Sequence, residues 1–326
     1  LLNERLGDKM LLIGDDILCT NPTIAYRALT QHAVNAGLVK LNQVGSFSQA
    51  WMYMELFHSP GRNTVMSHRS TQPDTPRDPM EITAALAASY RPASRVILGK
   101  LGGIYLANRA SLYYRGQQAI EDWRAGRGVT DGMGPEVKIK TINVYPSPLG
   151  AGKYGLMAVM HLENGVVIES PIPGGLSRGE SETRLLGPEA GAKVMKDVLE
   201  RLGLIGKPLG TIGNVFEIER MLMSLDIEEA RRQGKLPPFS EQTWDAHEEE
   251  AAFKRYVGGD VTLSLGQLFM KAVALRDGLP PWLVYRLHGK ALNEQIGMSF
   301  DNYPAARRAF YEPIFTGQVG QGAFNK

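Results

Sequence analysis

Met10-Leu11-Leu12-Ile13-Gly14-Asp15-Asp16 sets a short apolar run directly before a glycine and two carboxylates, and the arrangement then recurs. Leu38 to Leu41 surrounds Lys40 and ends in Asn42 and Gln43; Thr64 to Met66 ends in Ser67, His68, Arg69 and Ser70; Arg95 to Leu98 ends in Gly99 and Lys100. The ends fall about 25 to 30 residues apart, the length that a strand, a loop and a crossover helix occupy together, so the first hundred residues predict consecutive β/α units. Asn21 as cap, Pro22 at the first helical position and Ile24, Ala28, Leu29 and Ala33 on one face mark the first connecting helix, with Gly37 as its expected stop. Polar residues at the C-terminal ends of successive parallel strands are how a (β/α) barrel builds an active site; ordinary loop polarity is the alternative at any single strand.

From Val137 the texture changes. Val137 to Tyr145 and Tyr154 to Glu163 alternate as strands do, and Asn164-Gly165 before Val166 to Ile168 is a hairpin signal, so an antiparallel meander is expected. Helices follow. Ala190 to Leu202 places Val194, Val198, Leu199 and Leu202 on one stripe closed by Gly203, and Leu263 to Arg276 is a second apolar helix. Between them, 227–259 carries the run His247-Glu248-Glu249-Glu250, read as a solvated helix face.

The 326 residues carry 43% hydrophobic and 21% charged residues, which excludes disordered and fibrous classes. Lys plus Arg is 36 against Asp plus Glu at 34, a net charge of +2, giving no electrostatic case for nucleic acid or an anionic membrane. No stretch approaches the ~18 consecutive apolar residues of a membrane span. Cys19 is the one cysteine; it excludes an internal disulfide or a cysteine-cluster zinc site, suits a reducing compartment, and reads as an apolar filler. The sequence opens at Leu1, which leaves an N-terminal targeting segment open.

Three runs together resemble enolase: Gly14 to Pro22, Val39-Lys40-Leu41-Asn42-Gln43-Val44-Gly45-Ser46, and Met66-Ser67-His68-Arg69-Ser70. Their order and spacing match that family's last barrel strands. Val137 to Leu186 resembles the other end of the family, its N-terminal meander, with Pro173 to Glu180 on the mobile active-site loop, and weaker similarity continues through 263–285 to Phe310. The order is inverted, barrel end first. The fold class implied is α/β: a partial enolase-type (β/α) TIM-barrel segment over 1–130, then an α+β domain like enolase's N-terminal capping domain over 131–290 with an insertion at 227–259, then the start of a second barrel-like segment over 291–326. The chain is expected to be either the middle of a polypeptide with two enolase-like units or a rearranged chain.

Enolase takes a proton from beside the carboxylate of 2-phosphoglycerate and expels hydroxide to give phosphoenolpyruvate. The developing enolate charge calls for divalent cations, and a lysine acts as base only where cations or burial depress its pKa. By resemblance, Asp15 matches a Mg²⁺ ligand, Lys40 the general base, His68, Arg69 and Ser70 the substrate contacts, and Ser177 the loop serine that closes over the second metal. Outside the family, His68 reads as a structural histidine and Ser177 as a turn residue. The departures from the family are several. A lysine of the last barrel strand falls at Ile97, unless Lys100 replaces it; the lid histidine falls at Phe300; a Gln-Glu pair falls at Arg308-Ala309; and Tyr145 to Gly150 lacks an arginine.

Two functions follow from the resemblance. One is a catalytically silent enolase-like module within a larger assembly, binding other protein chains or a second enolase-like unit, with 227–259 and 71–80 as contact surfaces and a cytoplasmic, cytoskeletal or ciliary home. The other is an active phosphopyruvate hydratase using Mg²⁺. A remnant that holds phosphate on Arg69 and Ser70 without turnover is a third reading.

Overall fold

The computed structural model describes residues 2–67, 98–100, 118, 121–122, 125–126, 130–148, 154–172, 179–320 and 322–324. Four parallel strands open the chain: β1 (Ile13–Gly14), β2 (Ala36–Val39), β3 (Asn63–Ser67) and β4 (Leu98–Lys100). They lie side by side in sequence order, in the register Ile13 to Ala36, Leu38 to Val65 and Val65 to Leu98. This is the arrangement that repeated β/α units dictate; among the described residues it is a sheet of four strands, not a closed barrel. The short α1 (Leu2–Leu6) precedes it.

Helix α2 (Pro22–Thr30) begins as its sequence requires: the Asn21 side chain accepts from the Thr23 and Ile24 N–H groups, and Pro22 fills the first turn. It stops earlier than expected. Gly37 does not end it but lies within β2, where a Cβ would come 2.5 Å from the Tyr53 hydroxyl and 2.6 Å from the Phe57 ring. The glycine serves close helix-on-strand packing instead of chain termination.

A short α3 (Leu41–Val44) leads into α4 (Phe47–His58), in which every residue from Phe47 to Phe57 is buried. The helix is covered on every face, its polar Ser48, Gln49 and Glu55 included. On one side α4 packs against α2, β2 and β3; on the other it meets the second half of the chain. There the meander β5 (Ile139–Pro148), β6 (Tyr154–Leu162) and β7 (Val167–Pro171) is antiparallel, with the β6–β7 turn at Asn164-Gly165 as expected. Six helices follow: α5 (Pro188–Leu202), α6 (Val215–Arg232), α7 (Trp244–Phe253), α8 (Gly259–Asp277), α9 (Pro281–Ile296) and α10 (Tyr303–Thr316). Helix α8 is the hub, touching β6, β7, α3, α5, α6 and α9. Tyr285 of α9 closes the joint with α4: its ring meets Phe47 and Trp51 edge-on at 5.1 and 5.4 Å, and its hydroxyl donates to the Phe47 carbonyl at 2.9 Å.

The run His247-Glu248-Glu249-Glu250 corrects its reading as a solvated face. His247, Glu248 and Glu250 are buried, because each has an internal partner. His247 Nε2 faces the Arg231 guanidinium at 2.9 Å and its Nδ1 faces the Thr243 carbonyl; Glu248 receives Thr23 and Arg307; Glu250 receives Arg255. Composition alone does not reveal cations that arrive from distant segments.

Candidate functional site

The polar ends of β1 and β2 converge. After Gly14 the chain turns at once, with the Leu18 and Cys19 N–H groups donating to the Asp15 carbonyl at 2.9 and 3.0 Å. Cys19 and Thr20 then adopt left-handed backbone, φ 46° and 54°, which is uncommon for non-glycine residues and unfavourable for β-branched threonine. Thr20 is held there by its side chain: the hydroxyl accepts from the Lys40 N–H at 3.0 Å and donates to Gln43 Oε1 at 2.9 Å. The strained turn thereby fixes where Lys40 leaves β2.

Lys40 and Asp15, 25 residues apart in sequence, form an ion pair, and Lys40 Nζ lies 3.7 Å from Asp16 Oδ1. The Lys40 side chain is 11% exposed and that of Asp15 34%, so the pair sits at the floor of an accessible corner. The chain that follows the meander reaches this corner. Gln43 Nε2 donates to Glu182 Oε1 at 3.2 Å, the Gly179 N–H donates to the same oxygen at 3.1 Å, and the Thr183 N–H donates to the Gln43 carbonyl at 2.8 Å. Burial pushes the Cys19 thiol up to about 11, so it stays protonated and inert, as an apolar filler should.

From beneath, the helical half supports the same corner. Gly45 takes φ 69°, and a Cβ there would come 2.6 Å from Gly259 Cα, so only glycine lets α8 approach. Lys254 is fully buried; its Nζ donates to the Val44 carbonyl at 2.7 Å and to Gln49 Oε1 at 2.6 Å. Glu219 accepts from the Phe47 and Ser48 N–H groups, both at 2.8 Å, and from the Ser48 hydroxyl at 2.7 Å, closing the open N-terminus of α4. Asp226 accepts from the Tyr256 and Val257 N–H groups at 2.7 and 3.1 Å, which holds the segment bearing Lys254. Burial holds the Lys254 ammonium down to about 8, against the pull of Asp226 and Glu219, and pushes both carboxyls up to about 7. Sequence reasoning did not find these three. Each sits among other charged residues, and nothing local distinguishes it from a surface group.

Of the residues expected at the site, Asp15 and Lys40 are brought together; His68, Arg69, Ser70 and Ser177 lie outside the described residues, as do Ile97 and the contact segment 71–80. Phe300 packs against Tyr26 at 5.5 Å, and its N–H donates to Ser59 Oγ beyond the C-terminus of α4, the opposite end of that helix from Lys40. Arg308 pairs with Glu241 and Glu312 on the outside of α10. Mg²⁺ prefers several oxygen ligands in octahedral array. Asp15 is engaged by an ammonium, and among the described residues no group of three His, Cys, Asp or Glu side chains converges, so this donor set does not fit the ion.

Comparison with known proteins bears on the same segment. The family described as "Enolase, C-terminal TIM barrel domain" matches residues 1–87. The enolase of a Nitratiruptor species is 46% identical over 70 residues, which cover 22% of this chain and 17% of that protein. The chain thus spans about a sixth of the length of this curated relative. The matched stretch is the one that carries β1, the strained turn, Lys40 and α4. Over that segment the chain is similar to the C-terminal barrel domain of enolases.

Proposed function

We propose that this chain is an enolase-like module without turnover of its own, kept as a folded part of a larger protein assembly. The observation that carries the reading is the Lys40–Asp15 ion pair. In the reaction implied by the family, the lysine must give up its proton and the aspartate must hold Mg²⁺; here each is engaged with the other. The positions matched to the lid histidine and the Gln-Glu pair support the same reading, since Phe300 and Arg308 are engaged in packing and ion pairs of the helical layer.

An active phosphopyruvate hydratase is the second reading, favoured by the adjacency of Asp15 and Lys40 at the ends of neighbouring parallel strands. It requires Mg²⁺ to displace the ammonium from Asp15 and other carboxylates to complete the ion's shell. Partners are then other protein chains or a second enolase-like unit, and 2-phosphoglycerate or phosphoenolpyruvate in the active case. No described helix is long and apolar enough to cross a membrane, and we place the module in the cytoplasm, with a cytoskeletal or ciliary scaffold as its assembly.

The test is Mg²⁺-dependent formation of phosphoenolpyruvate from 2-phosphoglycerate, followed by ultraviolet absorbance, with Lys40→Ala as control. No turnover above that control, from protein shown to be folded by circular dichroism, is expected. Turnover abolished by Lys40→Ala overturns the silent reading.

A further inference from the structure

Helices α2 and α7 come from opposite halves of the chain and meet without closing. Where they touch, the Thr23 hydroxyl donates to Glu248 and lies 2.9 Å from the Tyr303 hydroxyl, and Arg307 Nε donates to Glu248 at 2.8 Å. Beside that clasp the helices part around a cleft of about 350 Å³, with Asn21, Ile24 and Arg27 on one wall, Asp245 on the other, and Ser181 and Phe253 also lining it. Ligand pockets run from about 300 to 1,000 Å³, so this one suits a small molecule.

Most charges around the cleft are answered within the chain. Glu248 is held by Arg307 and Thr23, and Glu249 by Arg255 at 2.7 Å. Two are not. The Arg27 guanidinium has no ion-pair partner among the described residues. Asp245, its side chain 87% exposed, has only an Arg307 already engaged by Glu248, at 3.5 Å. Two donors are also open: the Asn21 amide nitrogen, whose own oxygen caps α2, and the Ser181 hydroxyl, neither with a partner among the described residues. A helical side chain leans toward the N-terminus of its helix, which carries Arg27 back over the Thr23 turn toward Asn21. A single cation is too little for a polyphosphate, and among the described residues no three ligating side chains converge on a metal ion.

We propose that this cleft binds a free α-amino acid with an apolar side chain. Its carboxylate sits in the Arg27 fork, with the Asn21 amide and the Ser181 hydroxyl as further donors; its ammonium meets Asp245; its side chain lies against Ile24 and Phe253. One unanswered charge of each sign, on separate walls beside apolar side chains, is the pattern that a small zwitterion completes. Asn21 directly follows the strained Cys19-Thr20 turn, so the ligand braces the turn that places Lys40. The inference does not depend on whether that corner is silent.

Titration calorimetry on the 326-residue chain tests it, with L-leucine, L-methionine and L-phenylalanine as probes. Saturable binding of at least one is expected, with Kd below about 1 mM. Analogues of the binder that lack the ammonium or the carboxylate, such as 4-methylpentanoate and 3-methylbutylamine for leucine, should bind about tenfold or more weakly. Arg27→Gln and Asp245→Asn, both at exposed side chains, should each weaken binding by a similar factor. Hydrogen exchange locates the ligand: the amides of 19–27 and 244–253 gain protection when it is bound. Absence of saturable binding by all three probes at about 10 mM overturns the inference. So does a binder that either substitution leaves unaffected in folded protein, or one whose protection appears only elsewhere in the chain.

Discussion

Two lysines flank the turn at Leu41–Val44, and they are held in opposite ways. Lys40 stands above it at a partly open corner, paired with Asp15 and close to Asp16. Lys254 lies below it, wholly buried, bonded to three neutral oxygens, those of Val44, Gln49 and Ala252, with the carboxylates of Glu219 and Asp226 acting on it from a distance. The first sits at the open C-terminal end of the parallel strands and can be changed at small structural cost. The second joins the two halves of the molecule, and its charge survives burial because every hydrogen-bonding partner is in place.

The strongest way to break this contrast is Lys254→Met. It takes the ammonium from the Val44 carbonyl, leaves the Gln49 amide oxygen with the Ser46 hydroxyl alone, and removes the cation that faces two buried carboxylates. A loss of about 3 kcal/mol in urea unfolding is expected, because removing one partner of a buried charged network leaves the others uncompensated. A loss near zero would mean that the corner does not depend on the helical half.

A smaller effect should follow pH. Burial raises Glu219 from 4.5 and Asp226 from 3.8 to about 7 in the folded protein. A raised folded-state value means stabilisation that is full below the ordinary carboxylate value and is lost as pH rises through 7. Lys254 runs the other way: its contribution is full above 10.5 and is lost as pH falls through about 8. The urea midpoint of the wild type should therefore decline from about pH 4.5 to about pH 7, and Glu219→Gln should flatten that decline. The same substitution costs about 1–2 kcal/mol at neutral pH, since an amide cannot accept at both ends from the N-terminus of α4.

The least effect is expected from Lys40→Ala. Its partner's side chain is 34% exposed, and an ion pair open to solvent contributes about 1 kcal/mol or less. If Lys40→Ala instead matches Lys254→Met in urea unfolding, the two lysines are parts of one framework, and the division between site and scaffold fails.

The parallel strands, the Asn21 cap, the meander and its Asn164-Gly165 turn were legible in the sequence because each rests on local pattern. Asp15 and Lys40 were legible as polar residues at the ends of neighbouring strands, and their roles only through the resemblance; the ion pair between them was not legible. Lys254, Glu219 and Asp226 were not. Their burial is decided by groups 30 to more than 200 residues away, such as the Tyr256 and Val257 N–H groups for Asp226 and the Val44 carbonyl for Lys254. Gly37 misled for a related reason: the space it leaves is needed by Tyr53 and Phe57, not by the turn that its position suggested.

The Lys254 bond also sets a clock. It joins residues 210 positions apart, so on a ribosome adding about 5–20 residues per second the Lys40 corner waits roughly 10–40 s for its support. During that interval the α4 segment, with Phe47, Trp51 and Phe57, has emerged without the helices that cover it. A newly made chain therefore passes through a stage in which its most apolar helix lies open to chaperones and to other nascent chains.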